Sequence, residues 1–173
     1  STDGINFNIY DYTLNNKNIK IYLWDMGGQE NIRNIVYGYL KKIDAVILVY
    51  DVSNHKSFLD LKKWINILNN QKFNIKKIIL IGNKIDKPRC ISKITAQHFS
   101  LLTSLQYYEI SSNYDYTAIN FRIPLHNLIL SLYNIWFNDH KDLDQIYWGI
   151  PYKNYHIKFK KKNSNNCIFK CFT

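Results

Sequence analysis

The sequence predicts an α/β domain in three layers, with a mostly parallel central sheet, an antiparallel hairpin at one edge and helices on both faces. Strand-like and helix-like segments alternate along the chain, which is the order typical of such sheets. The run Ala-Val-Ile-Leu-Val-Tyr at 45–50 is apolar at every position, as expected of a parallel strand that is buried on both faces. With 173 residues, the chain is long enough for one domain with a substantial core.

The first half of the chain is predicted to hold the hairpin, a short helix, the buried strand and a longer helix. Residues 4–12 and 18–25 form the strands of the hairpin, with a polar turn at 14–18 between them. Residues 30–42 have a weak helical pattern. The longer helix is expected to begin at Ser57 as its cap. Its inward side carries apolar residues at helical spacing: Phe58, Leu61, Trp64, Ile65 and Leu68.

The second half continues the alternation of strands and helices. A strand is predicted at 77–82, a helix near 92–103 and a second strand at 105–108. In the last helix Pro124 lies near the start or produces a kink, because proline cannot donate the helical hydrogen bond. The apolar residues of this helix again follow helical spacing: Leu125, Leu128, Ile129, Leu132 and Ile135.

Composition and charge narrow the classes of function. Apolar residues make up 46% of the chain and charged residues 21%, and no stretch approaches the roughly 20 apolar residues that cross a bilayer. Three cysteines at no metal-binding spacing indicate a reducing compartment. The net charge of +10 is partly a property of residues 145–173, which contain lysines and no acid. Tyrosines interleave those lysines, a pattern that suits single-stranded RNA, but we regard a basic tail at a membrane as the better explanation.

The most informative motif is Asn83-Lys84-Ile85-Asp86, which directly follows the predicted strand at 77–82. A carboxylate at Asp86 can accept from both the ring N–H and the exocyclic amine of guanine, in a charge-assisted bidentate pair. Adenine lacks this pair of donors and would leave the carboxylate without partners. Lys84 can lay its methylene stem along the base. Taken alone, the motif is equally compatible with a solvated turn after a strand.

Two further motifs also follow predicted strands. In Trp24-Asp25-Met26-Gly27-Gly28-Gln29, Asp25 can hold a hydrated Mg²⁺, and the glycines allow a backbone N–H to approach a terminal phosphate. Gln29 is then placed to orient a water for in-line attack. The segment Ser111-Ser112-Asn113 follows the strand at 105–108, where its backbone N–H groups can face a base.

With these three motifs in this order, the chain resembles the Ras-like small GTPases, and the Rab family most closely. Family segments fall at 4–7, 20–24, 31–36, 39–43 and 48–53. The resemblance implies a P-loop GTPase-type fold, GTP/GDP and Mg²⁺ as ligands, and catalysis of GTP hydrolysis through Gln29. It implies metal contacts from Thr2 and Asp25, and an effector surface of Phe7, Trp24 and Tyr39. The implied nucleotide-binding residues are Gly28, Asn83, Lys84, Asp86, Ser111, Ser112 and Asn113.

The chain also departs from the family pattern. No Gly-x-x-x-x-Gly-Lys-Ser/Thr loop occurs in these residues, and the chain opens at Ser1-Thr2-Asp3-Gly4, where the family has its first switch. We therefore expect an N-terminally truncated fragment that lacks the first strand, the phosphate loop and the first helix. By itself it should bind guanine nucleotide poorly or not at all and hydrolyse no GTP. The alternative is a non-hydrolysing pseudo-GTPase that binds partners through its aromatic surface. Gly27 and Asn113 replace residues more common in Rabs.

By this resemblance, residues 1–140 form a partial small-GTPase domain and residues 141–173 a basic hypervariable tail. Cys171, or failing that Cys167, is the predicted prenylation site, because a lipid together with basic charge gives stable membrane anchoring. The resemblance implies effector proteins, an exchange factor, a GTPase-activating protein and a prenyl-binding chaperone as partners. It places the protein in the cytoplasm, peripheral on the cytosolic face of intracellular membranes and active in vesicle traffic. A nucleic-acid partner is not expected.

Overall fold

The computed structural model describes residues 5–14, 17–27, 33–69, 73–113, 119–139, 156–157 and 167–172. Strands and helices alternate through most of this part of the chain, as the sequence predicts. In chain order they are β1 (Ile5–Leu14), β2 (Lys17–Met26), α1 (Arg33–Leu40), β3 (Ala45–Asp51), α2 (His55–Leu68), β4 (Lys77–Asn83), α3 (Lys93–Leu102), β5 (Gln106–Glu109), α4 (Ile119–Asp139), β6 (His156–Ile157) and β7 (Cys167–Phe172).

The strands form one sheet in the order β1-β2-β7-β3-β4-β5, with β6 also paired to β2. The strands β1 and β2 make the antiparallel edge hairpin, in register from Ile5 opposite Met26 to Leu14 opposite Lys17. All other pairs are parallel. The structure thus confirms the predicted mostly parallel sheet with an antiparallel edge hairpin.

The last strand, β7, is the part of the sheet that the sequence analysis did not foresee. It lies between β2 and β3, with five residue pairs on each side. The short β6 pairs with Asn18 and Ile19 of β2. Since β1 takes one edge of β2 along its whole length, β6 and β7 share the other edge. Residues 167–172 therefore pair with the sheet in this structure.

Each face of the sheet is covered by its own apolar cluster, which confirms the predicted three layers. Alternate residues of β3 point to opposite faces, as pleating requires. Val46, Leu48 and Tyr50 join a cluster with Leu61 and Trp64 of α2 and with buried residues of α1 and α3. On the other face, the cluster combines β3 and β4 with α4, and its buried members include Ala45, Ile47, Val49, Leu128 and Ile129.

The start of one helix differs from the expected one. The helix α2 begins after Asn54, whose side chain accepts from the backbone N–H of Ser57, so the prediction of Ser57 as the cap was wrong. The helix α3 is capped by Ser92, close to the predicted start. Pro124 lies inside α4. Within the part of the chain described, no helix combines the length and the apolar character needed to span a membrane.

Candidate functional site

The predicted binding motifs meet at the carboxyl end of the parallel strands. Asp51 ends β3 and is in register with Asn83, which ends β4. Glu109 ends β5 and is in register with Gly82. Because parallel strands end at the same edge of a sheet, the loops after them form one surface, which is where open α/β sheets bind ligands.

Asn83 joins the loop after β4 to the loop after β5. Its side chain is almost fully buried, and its Oδ1 atom accepts from the backbone N–H of Lys84 at 2.7 Å. The same atom accepts from the N–H and the hydroxyl of Ser112, at 3.1 and 3.0 Å. One amide oxygen thus holds two of the three predicted motifs together.

Lys84 has a left-handed backbone, with a φ of 63°, which turns the chain sharply at the end of β4. Its Nζ donates to Oδ2 of Asp51 at 2.6 Å, while the backbone and hydroxyl of Ser53 donate to Oδ1. Burial raises the pKa of Asp51, but the hydrogen bonds from Lys84 and Ser53 outweigh it and leave the pKa below its usual value. The ammonium group therefore pairs with a carboxylate that the sequence analysis did not assign to the site.

Asp86 has an ionised carboxylate and lies in the loop after β4, which forms part of this surface. The hydroxyl of the buried Ser111 donates to Oδ1, and Nδ2 of Asn113 lies 3.5 Å from Oδ2. The hydrogen bond from Ser111 is the main cause of the lowered pKa of Asp86. Asp86 therefore keeps its acceptor oxygens charged at neutral pH, which is the state that a bidentate pair with guanine needs.

A chain of polar side chains next to this surface connects β3, β5 and the loop after β4. Arg89 donates to both carboxylate oxygens of Glu109, with Nη1–Oε1 and Nη2–Oε2 distances of 2.9 Å. The hydroxyl of Tyr107 donates to Glu109 and lies 2.9 Å from that of Tyr50. Burial raises the pKa of Glu109, but Arg89 and Tyr107 together hold it below its usual value. Glu109 directly follows a predicted strand, and this position could have indicated that it belongs to the site. Nothing in the sequence indicates that Arg89 does.

Gly82 leaves the space that this network needs. A Cβ atom built on Gly82 would lie 2.8 Å from the hydroxyl oxygen of Tyr50 and 3.0 Å from that of Tyr107. We expect Gly82→Ala to lower the free energy of unfolding by about 1–3 kcal/mol through overpacking.

Gly38 of α1 is the matched control, because nothing lies within 4 Å of the position that a Cβ atom would take there. Gly38→Ala should stabilise the protein by about 0.5–1 kcal/mol, since alanine loses less backbone entropy in a helix. Urea titration of both variants measures the two changes, and a destabilisation by Gly38→Ala as large as that by Gly82→Ala would contradict the explanation.

The three residues of the predicted effector surface lie together. The ring centroids of Phe7 and Trp24 are 4.4 Å apart, and those of Trp24 and Tyr39 are 4.6 Å apart. Phe7 is 44% exposed, while Trp24 and Tyr39 are partly buried against the core. The result is an aromatic row that runs from the hairpin to α1 and reaches the protein surface at Phe7.

Asp25 lies one residue before the end of β2, and its Oδ1 atom is buried. A carboxylate in this position fits a hydrated Mg²⁺, which favours carboxylate ligands and keeps most of its waters. Among the residues described here, no group of three or more His, Cys, Asp or Glu side chains could hold a metal. The predicted sites Thr2, Gly28 and Gln29 lie outside the described residues. Cys167 and Cys171, the predicted lipidation sites, belong to β7.

Comparison with known proteins settles the family. Residues 1–127 match the Ras family. The chain belongs to this family. Among similar proteins, Ras-related protein Rab-30 of Homo sapiens is 33% identical over 114 residues, which cover 65% of this chain and 56% of that protein. Ras-related protein Rab-8A of Bos taurus is 37% identical over 115 residues, or 65% and 55% of the two chains. Ras-related protein SEC4 of Saccharomyces cerevisiae is 37% identical over 86 residues, or 50% and 40%.

The regions of similarity bear out the predicted resemblance to the Ras-like GTPases and, within them, to Rab proteins. This Ras-family chain spans about half the length of the curated relatives it matches. Its membership agrees with the α/β architecture described above.

Proposed function

We propose that this chain carries the base-recognising part of a Rab-like GTP/GDP switch that acts in vesicle traffic. The observation that carries the proposal is the convergence of Asp86, Asn83 and Ser111 at the carboxyl end of β4 and β5. Ser111 and Asn113 already donate to the Asp86 carboxylate, so its oxygens are held at the surface as acceptors. Similarity to Rab proteins supports the same function.

Guanine is the base that this arrangement favours. Its ring N–H and exocyclic amine would both donate to Asp86, taking the place of water and of the long contact from Asn113. Adenine offers a bare ring nitrogen at the corresponding position, which would face the carboxylate without a proton between them. Asn83 acts indirectly, because its side chain fixes the loop that carries Ser111 and Ser112.

The phosphates would lie toward β2. Asp25 on β2 and Asn83 on β4 are three strand spacings apart, or roughly 14 Å across the sheet. A nucleotide lying along this edge would reach from the base site to the end of β2. There Asp25 and Thr2 would hold Mg²⁺, Gly28 would approach the terminal phosphate, and Gln29 would orient the attacking water. Hydrolysis also requires a phosphate loop, which residues 1–173 do not contain.

The aromatic row of Phe7, Trp24 and Tyr39 would bind effector proteins, because exposed aromatic residues make strong interface anchors. In such a switch, an exchange factor and a GTPase-activating protein control the bound nucleotide. A basic tail modified on Cys171 or Cys167, delivered by a prenyl-binding chaperone, would attach the protein to the cytosolic face of an intracellular membrane.

Ligand-observed NMR on the 173-residue chain tests the base site directly. We expect saturation transfer to GMP at millimolar concentration, weaker transfer to IMP and none above background to AMP. IMP keeps the ring N–H of guanine and lacks the exocyclic amine, so it isolates half of the proposed pair. Equal transfer to GMP and AMP would overturn the assignment. A longer protein that includes a phosphate loop can also be tested for GTP hydrolysis. If it bound GMP selectively but hydrolysed no GTP, the result would favour the non-hydrolysing interaction module.

A further inference from the structure

The outward side of α3 exposes three large apolar residues, which form an apolar stripe. Ile94, Leu101 and Leu102 are 78%, 76% and 73% exposed, more than any other large apolar residue that the structure describes. Ile94 and Leu101 are two helical turns apart and therefore lie on the same side of the helix, with Leu102 next to them. The opposite side carries the buried Ala96 and Ser100.

The core does not require this stripe. Ala96 and Phe99 supply the contacts of α3 with the apolar cluster on its face of the sheet. Single apolar residues on a protein surface are common, but several of them along one side of a helix usually mark an interaction site. The stripe is therefore a surface that an external partner can cover.

The chain around the stripe is basic. Residues 87–108 contain Lys87, Arg89 and Lys93 but no Asp or Glu. Arg89 pairs with Glu109 of β5, whereas Lys87 and Lys93 are exposed. An apolar surface flanked by exposed lysines is complementary to a partner that carries negative charge beside apolar groups.

The neighbouring helix α2 has the same charge. It contacts α3 through the rings of Phe58 and Phe99, whose centroids are 5.2 Å apart. It contains three lysines and one acid, Asp60, which pairs with Lys63 at 2.9 Å. The two helices that cover this part of the sheet thus carry a net positive charge.

An anionic lipid bilayer fits this surface better than a nucleic acid or a protein does. Protruding aliphatic side chains can enter the boundary between headgroups and acyl chains, and lysines near an anionic membrane add attraction. Single-stranded nucleic acid binds through stacked aromatic rings, but Phe99, the aromatic residue of α3, packs against the core. Protein interfaces usually centre on Trp, Tyr or Arg, and the stripe contains none of these.

We propose that the outward side of α3 docks on an anionic lipid bilayer. Ile94, Leu101 and Leu102 insert between the headgroups, and Lys87 and Lys93 lie near the lipid phosphates. This contact orients the folded domain, with α3 toward the membrane and α4, on the other face of the sheet, toward the aqueous phase. The docking does not depend on the proposed nucleotide site.

A fluorescent reporter on α3 tests the proposal in the 173-residue chain. Residues 145–173 are basic and attract anionic vesicles by themselves, so the signal must be local to α3. With the three cysteines replaced by serine, an environment-sensitive NBD group is attached through Gln97→Cys, an exposed position on the helix. On phosphatidylcholine vesicles with about 30% phosphatidylserine, its emission should rise roughly threefold and shift to the blue, because the group leaves water. Vesicles of phosphatidylcholine alone should produce little change.

Two controls make the signal specific. A second reporter, attached through Arg122→Cys on α4, lies on the other face of the sheet and should not respond to the same vesicles. The double substitution Ile94→Ser and Leu101→Ser should raise the lipid concentration for half of the α3 signal roughly tenfold, since it removes apolar groups that enter the bilayer. Ile123→Ser, which changes an exposed apolar residue of α4, should leave that signal intact.

Co-sedimentation with the vesicles separates the remaining outcomes. If the chain sediments while the α3 reporter stays unchanged, the basic tail alone binds the membrane, and the proposal is overturned. A chain that does not sediment, or equal responses from the two reporters, would overturn it as well. A response of the α3 reporter to poly-glutamate as large as its response to vesicles would assign this surface to an acidic protein instead of a bilayer.

Discussion

Replacing Asp86 by Asn is expected to lower the affinity for guanine nucleotides by roughly a hundredfold and to raise the affinity for xanthine nucleotides. The substitution turns one acceptor oxygen into an N–H donor, which would meet the exocyclic amine of guanine, itself a donor. Xanthine has a carbonyl oxygen at that position and would accept from the new amide. The change keeps the size of the side chain, so the loop after β4 should keep its conformation.

Competition NMR with GMP and XMP measures this exchange of specificity in the 173-residue chain. Asp60→Asn is the matched control, because it makes the same chemical change on α2, where Asp60 pairs with Lys63 at 2.9 Å. That variant should bind GMP like the wild type. An Asp86→Asn chain that still prefers GMP to XMP would show that Asp86 is not the group that recognises the base.

The fold could be predicted where local sequence patterns decide the structure. The run at 45–50 is apolar throughout, and β3 is buried on both faces as that pattern requires. The inward residues of α2 have helical spacing, and Phe58, Leu61, Trp64 and Leu68 are buried. The binding motifs could be placed for the same reason, because the residues that follow parallel strands must lie at one edge of the sheet.

The other parts of the fold and of the site depend on contacts between segments that are distant in the sequence, and a local pattern does not encode such contacts. Periodicity over six residues cannot show that Cys167–Phe172 would enter the sheet between β2 and β3. The ion pair of Lys84 with Asp51 joins the loop after β4 to the end of β3, and the sequence around either residue does not indicate the other. The pairing of Arg89 with Glu109 likewise depends on how the loop after β4 approaches the end of β5. In each case the deciding partner lies far away in the sequence.

The Asn83 side chain should be essential both to the stability of this edge and to base binding. Asn83→Ala removes the acceptor of three hydrogen bonds, from Lys84 and from the N–H and hydroxyl of Ser112. Because Asn83 is almost fully buried, we expect the free energy of unfolding to fall by about 2 kcal/mol. The loop carrying Ser111 would lose its side-chain hydrogen bonds to the end of β4, so the selectivity for GMP over AMP should also decrease.

Asn113→Ala is the control for Asn83→Ala, because the Asn113 side chain makes a polar contact at the rim of the site. Asn113 is exposed and lies 3.5 Å from Asp86, so its removal should change the free energy of unfolding by less than about 0.5 kcal/mol. Urea titration gives both stabilities, and ligand-observed NMR gives the selectivity. If Asn83→Ala were as stable as Asn113→Ala, the hydrogen bonds of Asn83 would not be what fixes the two loops. If Asn83→Ala lost stability but kept its preference for GMP, Asp86 would recognise the base without help from the loop after β5.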